Sequence, residues 1–406
     1  MRILYLTYYF EPDLCAGSFR NTPLVEELAS QLSSSDLIHV VTTQPNRYQS
    51  FKLAAPDHEE RGENHNCRVR IDRVAVPTHA SGYADQTRSF LTYYRTAHRL
   101  TKEQQYDLVV ASSSRLFTAF LAARLARSKF LPLVLDIRDL FRETILEMVK
   151  NRWGQFGRFG LNLVLSIVER YTFGYARHIN LVSEGFQSYF KPYSQATYSY
   201  FTNGIDDEFL SLPPSAGRIT PEKLILYAGN LGEGQGLHKI IPQAARLLGD
   251  NYRFVIIGDG GAKAKLETII QIEGVLNVEL RKPVSRKELL REYQKADYLF
   301  VHLNDLDAFK RVLPSKLFEY GATDKPVIAG VAGYAAQFVR EYIDNCILFD
   351  PGNVNKLVKQ LRETPYRTAN RTAFVARFQR RAIMAAMARQ ILNVVPSVNH
   401  SETSVL

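Results

Sequence analysis

The stretch Leu313-Pro314-Ser315-Lys316-Leu317-Phe318-Glu319 puts a hydroxyl, an ammonium and a carboxylate at the start of one helix. Pro314 suits the first helical position, where a missing N–H costs nothing. The free N–H groups and positive dipole end there suit a diphosphate held with Ser315 and Lys316, and Glu319, one turn on, can accept both hydroxyls of a ribose. The plainer alternative is an i,i+3 pair of Lys316 and Glu319 on a solvated helix face. Upstream, Tyr227-Ala228-Gly229-Asn230-Leu231-Gly232-Glu233-Gly234-Gln235-Gly236 carries four glycines in eight residues between a strand-like and a helix-like stretch. Such a loop lets backbone and phosphate approach closely. It lacks the Gly-Lys-Ser/Thr of a P-loop, so ATP hydrolysis of that type is unsupported. A poorer version, Pro12-Asp13-Leu14-Cys15-Ala16-Gly17-Ser18, follows the first apolar run, and one glycine there makes no dinucleotide fingerprint. Asp305-Leu306-Asp307 reads as a loop rather than a metal clamp.

The elements that must position these loops are legible as an alternation of β-branched runs and amphipathic stretches, the pattern of parallel sheets in an α/β fold. Strands are expected at 3–7, 37–43, 69–76, 107–111, 133–136, 178–182 and 197–202, and again at 224–227, 253–257, 275–280, 298–303 and 327–329. Residues 44–67 are polar and without period, so they read as a long loop. A turn at Asn203-Gly204-Ile205-Asp206, followed by Pro213-Pro214, separates the two series. The expected organisation is a first domain over 1–204, a second over 205–375, a crossover helix over 376–396 and a flexible tail over 397–406. An apolar stripe of Phe374, Phe378, Ala382, Ala385, Ala388 and Leu392 is expected along the last helix.

At 406 residues, 46% hydrophobic and 23% charged, the chain has the length and composition of a multi-domain globular protein. Three cysteines without metal-ligand spacing point to a reducing compartment, and no apolar run is long enough to span a bilayer. A cytoplasmic protein is expected. The net charge is +10, and residues 88–129 hold eight basic residues against Glu103 and Asp107. That excess fits an anionic partner such as phosphate, a phospholipid headgroup or nucleic acid, or simply a solvated helix surface.

Taken together and in order, Tyr227-Ala228-Gly229-Asn230, Pro314-Ser315-Lys316 with Glu319, Thr202-Asn203-Gly204-Ile205-Asp206, Val182-Ser183-Glu184-Gly185-Phe186 and Asp136-Ile137-Arg138-Asp139-Leu140 resemble the retaining GT-B transferases of glycosyltransferase family 4. The nearer resemblance is to the bacterial branch that builds surface polysaccharides. It implies two Rossmann-like domains facing each other across a cleft, with the last helix packing back on the first domain. It also implies transfer from a nucleotide-diphosphate sugar, UDP-sugar favoured, to a glycan or lipid-linked glycan, with retention and without a metal or other cofactor. By the same resemblance Arg281, Lys282 and Val284 surround uracil, Glu319 holds the ribose, and Gly17, Gly229, Asn230, Ser315, Lys316 and Leu317 surround the diphosphate. Asp139, at the carboxyl end of a parallel strand, stands beside the sugar.

The sequence departs from that pattern at Arg311, eight residues before Glu319, where the family has an acid, and at Asn230 and Gln235, where it has a basic pair. Neutralising the leaving diphosphate then falls to Lys310, Arg311 or Lys316, and Arg311 and Lys316 join Asp139 as catalytic candidates. Two other classes use the same cleft: a GT-B nucleotide-sugar epimerase, which needs acids and a His on both sugar faces, and a non-catalytic nucleotide- or carbohydrate-binding scaffold. His178 and His238 read as structural. A Rossmann dehydrogenase fits least, since the fingerprint and its following acid are missing. No nucleic-acid partner is expected. Lys150, Arg152, Trp153 and Arg158 beside the apolar stretch 161–168 read as a peripheral contact with an anionic membrane.

Overall fold

A computed structural model describes residues 1–47, 53–62, 66–77, 83–113, 115–149, 154–210 and 222–395. Lys150, Arg152, Trp153, Pro213-Pro214 and the tail 397–406 lie outside the described residues.

The first half runs β1 (Arg2–Thr7), α1 (Ser18–Ser30), β2 (Leu37–Thr43), β3 (His58–Arg61), β4 (Arg68–Val74) and α2 (Tyr83–Thr101). It continues with β5 (Leu108–Ser113), α3 (Leu116–Ser128), β6 (Leu133–Ile137), α4 (Phe141–Met148), α5 (Gln155–Phe173), β7 (His178–Leu181), α6 (Gln187–Phe190) and β8 (Thr197–Ser199). The second half opens with α7 (Asp207–Leu210), β9 (Lys223–Asn230), α8 (Leu237–Leu248), β10 (Tyr252–Asp259), α9 (Lys263–Glu273), β11 (Val278–Arg281) and α10 (Arg286–Lys295). It closes with β12 (Tyr298–His302), α11 (Lys316–Gly321), β13 (Val327–Gly330), α12 (Gly333–Tyr342), β14 (Cys346–Phe349), α13 (Val354–Glu363), α14 (Thr372–Arg377) and α15 (Arg380–Leu392).

Two sheets result, ordered β3-β4-β2-β1-β5-β6-β7-β8 and β11-β10-β9-β12-β13-β14. Every described pairing is parallel except β3 against β4. Their central strands are buried on both faces, which is why these read in sequence as continuous Val/Ile/Leu runs rather than alternating ones. In the first sheet the chain leaves β1 toward β2 on one side and returns to β5 on the other; β9, with β10 and β12, repeats the reversal in the second. Such switch points open a crevice at the carboxyl ends of the strands.

Three expectations are corrected. The stretch 44–67 is not all loop, because His58–Arg61 adds an antiparallel edge strand whose His58 Nδ1 donates to the buried Asp72 carboxylate at 2.5 Å. β14, Cys346–Phe349, was not anticipated at all. The C-terminal stretch also differs from one continuous helix: it breaks between α14 and α15, where Ile205 N–H donates to Phe378 O at 2.7 Å and Arg380 N–H to Ile205 O at 2.9 Å. The two passages of the chain between the sheets are thus bonded to each other. Phe374 and Phe378 pack in the second domain's core, while Met384, Met387, Ala388 and Ile391 pack against α1 and the first sheet. The break changes the register, so Met384 and Met387 take the buried face and Ala382 is exposed.

Candidate functional site

Between the two sheets lies a cleft of about 400 Å3, lined by loops that leave the carboxyl ends of strands in both domains. From the first domain come Tyr9 and Gly17 of the β1–α1 loop, Arg47, and Arg138 and Asp139 of the β6–α4 turn. From the second come Gly229, Asn230 and Gln235, the β11–α10 turn with Pro283, Val284 and Arg286, and Ser315, Lys316 and Glu319.

Lys316 reaches the cleft because Gly229 leaves room for it. A Cβ on Gly229 would stand 2.1 Å from the Lys316 Nζ, and the residue's φ of +142° already favours glycine. The ammonium lies 5.4 Å from the Tyr227 ring centroid and makes no hydrogen bond with the described residues. Burial lowers its pKa, with the Glu319 charge opposing. Across the cleft the arrangement repeats: a Cβ on Gly17 would stand 2.8 Å from Arg138 Nη1. The Arg138 guanidinium likewise bonds to none of the described residues, so each domain offers the cleft one unbonded cation beside a glycine.

Glu319 is held more firmly. The Tyr293 hydroxyl donates to Oε2 at 2.8 Å and Arg286 Nη1 to Oε1 at 3.2 Å. Burial pushes this carboxyl up, but Arg286, Lys316 and the Tyr293 bond outweigh it and hold the group below the ordinary glutamate range. Arg286 also bonds Asp206 and Glu208 and lies over Phe209 and, from the first domain, Phe19, 4.7 Å from that ring centroid. Asn230 and Gln235 line the cleft while fixing its glycine loop: Asn230 Nδ2 donates to Gln235 Oε1 at 2.9 Å, as does the Gly232 N–H at 3.2 Å.

Asp139 follows β6 and faces the cleft. Its surface is open to cleft water although protein surrounds it on the other sides, and that burial pushes its pKa up to about 6 against the opposing charges of Arg138 and Arg47. Three residues earlier, Asp136 is fully buried and saturated by Arg20 Nε and Nη2, Ser112 Oγ and Asn180 Nδ2, all at 2.8 Å. Asp136 therefore braces the turn that presents Asp139.

Several expected residues are not brought here. Arg281 is drawn along the sheet edge by Glu279 at 2.6 Å and Glu292 at 2.8 Å, and Lys282 is exposed, leaving Val284 with Pro283 and Leu289 on that wall of the cleft. Leu317 is buried in the second domain's core. Lys310 is exposed and paired with Asp307 at 2.6 Å. Arg311 reaches to Glu143 on α4, and its carbonyl accepts from Ser183 Oγ at 2.6 Å, so it joins the domains beside the cleft rather than lining it. His178 bonds Thr197 and Ser199, and His238 is buried beside Glu233. His302 lines the cleft, yet its Nδ1 donates to Gln235 O at 2.6 Å and its Nε2 accepts from Gly352 N–H at 3.0 Å. Burial lowers its pKa to about 4, so it is neutral.

Arg47, Arg138, Arg286 and Arg380 also line the cleft and were not among the sequence candidates. The proximity of Arg138 to Asp139 was the available signal; the others come from distant segments. Among the described residues no cluster of three or more metal-ligating side chains occurs, and no helix is long and apolar enough to cross a membrane.

Residues 22–194 match the model of the glycosyl transferase 4-like domain, and residues 211–373 that of glycosyl transferases group 1. The putative colanic acid biosynthesis glycosyl transferase WcaI of Escherichia coli K12 is 31% identical over 144 residues, a match spanning 35% of this chain and 35% of that protein. Sucrose-phosphate synthase from Thermosynechococcus elongatus superposes over 97% of this chain and 98% of its own, with a TM-score of 0.74 at 15% identity. Anabaena Alr3699/HepE in complex with UDP and glucose superposes over 97% of each chain, with a TM-score of 0.57 at 17% identity. The chain has the two-domain GT-B fold, and each half matches a glycosyl transferase domain model.

Proposed function

With a glycosyltransferase domain in each half, we propose that the protein transfers a hexosyl group from a UDP-sugar to a glycan or lipid-linked glycan in bacterial polysaccharide synthesis, with retention and without a metal. The observation that carries this reading is the cleft itself: a bonded carboxylate at Glu319, one turn into α11, and unbonded cations at Lys316 and Arg138 on opposite walls. Glu319 takes the ribose hydroxyls and the wall at Val284 takes the base. Lys316, Ser315, Gly229 and Gly17 hold the diphosphate. The WcaI likeness supports a polysaccharide role and the UDP in the HepE structure supports the base.

In the reaction the bond from the anomeric carbon to the β-phosphate oxygen breaks, and its electron pair stays on UDP. Lys316 and Arg138 stabilise that growing charge, the part an acid-bound cation plays elsewhere. The acceptor hydroxyl attacks the face the phosphate leaves and passes its proton to the β-phosphate oxygen, which gives retention. Asp139, largely ionised at pH 7 with a pKa of about 6, orients the acceptor hydroxyl and stabilises positive charge on the sugar.

The test is calorimetry with UDP, GDP and dTDP, followed by hydrolysis of the matching donors with and without EDTA. Selective UDP binding and EDTA-resistant turnover are expected. Selective binding of another nucleotide removes the UDP assignment, binding without turnover of any donor supports a scaffold, and turnover abolished by EDTA removes the metal-independent one.

A further inference from the structure

The outward side of α5 is apolar where a helix lying on a sheet should be polar. Phe156, Phe159, Leu163, Val164 and Ile167 are 95%, 69%, 53%, 57% and 60% exposed, and their spacing puts them in one stripe. The opposite side buries Leu165, Thr172 and Phe173 against the first domain. Isolated exposed residues such as Leu276 are ordinary, but a continuous apolar face on a water-soluble surface marks a contact.

Charge selects the occupant. The only acid on α5 is Glu169, which is buried and held by the Tyr189 hydroxyl at 2.6 Å and Arg142 Nε at 2.9 Å. The charges that remain toward solvent are Arg170, in line with the stripe, and Arg158, half-buried near the helix start and on its other side, and Arg124 is exposed on the neighbouring α3. Arg127 of α3 ties the two helices, donating to Tyr171 O at 3.0 Å, and Phe130, 93% exposed, follows three residues later. A face with bulky apolar groups, flanking arginines and no exposed acid on its own helix offers a second copy of itself no complementary charge across a two-fold contact. It matches an anionic bilayer, into which apolar groups sink to the headgroup boundary while arginines stay with the phosphates.

We propose that the stripe Phe156, Phe159, Leu163, Val164 and Ile167 of α5 docks the protein on anionic lipid bilayers. Docking deepens the acceptor half of the proposed function, since α4 alone separates the Asp139 turn from the segment leading into α5. A lipid-carried acceptor then arrives at the wall that holds Asp139. The docking itself does not depend on the transferase reading.

The experiment is co-sedimentation of the full chain with vesicles of phosphatidylcholine, alone or with about one third phosphatidylglycerol. Binding to the anionic vesicles, weakened by high salt, is expected. The triple variant Phe156→Ser/Phe159→Ser/Ile167→Ser should bind them about ten-fold less, and Arg158→Glu/Arg170→Glu should lose the preference for anionic lipid. UDP affinity, measured on the same preparations, should stay at the wild-type value and so report folding. Absence of binding to either vesicle overturns the proposal. So does sedimentation velocity showing a wild-type dimer that the serine variant abolishes, which would assign the stripe to a second copy. Vesicle binding without UDP binding would remove the donor reading and leave the docking surface standing.

Discussion

Asp136 and Asp139 stand three residues apart on one strand-to-helix turn, and the structure treats them in opposite ways. Asp136 has no exposure, is bonded by three side chains, and is held below the ordinary aspartate range despite burial, chiefly by the Arg20 charge. Asp139 is open to the cleft, accepts no hydrogen bond from the described residues, and has its pKa pushed up to about 6. A saturated acid holds the fold; an unsaturated one among cations is poised for a substrate. The same contrast separates the walls of the cleft. On the second domain Glu319, Tyr293 and Arg286 are bonded to one another before any ligand arrives, whereas on the first Arg138 and Asp139 wait unbonded. In the proposed reaction the prebonded groups serve binding, and the unbonded ones, Arg138 and Asp139 together with Lys316 from the second domain, serve turnover.

The largest effect expected is on the saturated side. Asp136→Ala leaves Arg20 charged and unpaired in the core, which should destabilise the protein by about 3 to 5 kcal/mol. Thermal melting checks this, and a melting temperature near wild type would erase the distinction between the two acids. Lys316→Ala removes the unbonded cation proposed to meet the leaving phosphate, so donor kcat/KM should fall about 100-fold with kcat and KM both affected. Unaltered kinetics with every donor would return Lys316 to the role of a helix-surface residue. Glu319→Gln keeps the shape but weakens charge-assisted bonds, and calorimetry should show UDP affinity reduced by about 1.5 to 3 kcal/mol. Equal affinity in the two proteins would break the claim that the second domain's wall does the binding.

The smallest effect is expected at Arg311→Ala. Its pair with Glu143 is partly solvated at the domain junction, and such pairs contribute about 0 to 1 kcal/mol, so melting should change little and UDP affinity not at all. A hundred-fold loss of donor kcat/KM would instead place Arg311 on the sugar.

How much of this was legible in the sequence depended on how local the cause was. Pro314, Ser315, Lys316 and Glu319 are set by one helix start, and their types and spacing were enough to bring them together. The parallel sheets were legible because strands buried on both faces read as apolar runs. Arg286 was not, because its role rests on Glu319, Asp206 and the first-domain Phe19, which only the packed chain assembles. Arg281 lies off the cleft because Glu279 and Glu292 pull it along the sheet edge, pairings that its place in the sequence does not show. The edge strand His58-Glu59-Glu60-Arg61 is charged throughout, which suits an edge that must not pair further and hides it from hydrophobic patterning. The last helix was misread in register because its break at Phe378 is imposed by pairing with Ile205, far away in the chain.

On the proposed function Asp139 serves turnover and not folding or nucleotide binding. Its raised pKa gives a folding control with a definite sign. Wild type should gain stability relative to Asp139→Asn as pH falls from above 6 toward 4, because protonation relieves a charge that the surrounding protein desolvates and that the variant never carries. The decisive measurement is turnover of the accepted donor by folded Asp139→Asn beside its UDP affinity. Unchanged UDP affinity with kcat lowered by about 100-fold or more is the predicted result. Wild-type turnover in a normally folded variant would contradict it and remove Asp139 from the active site.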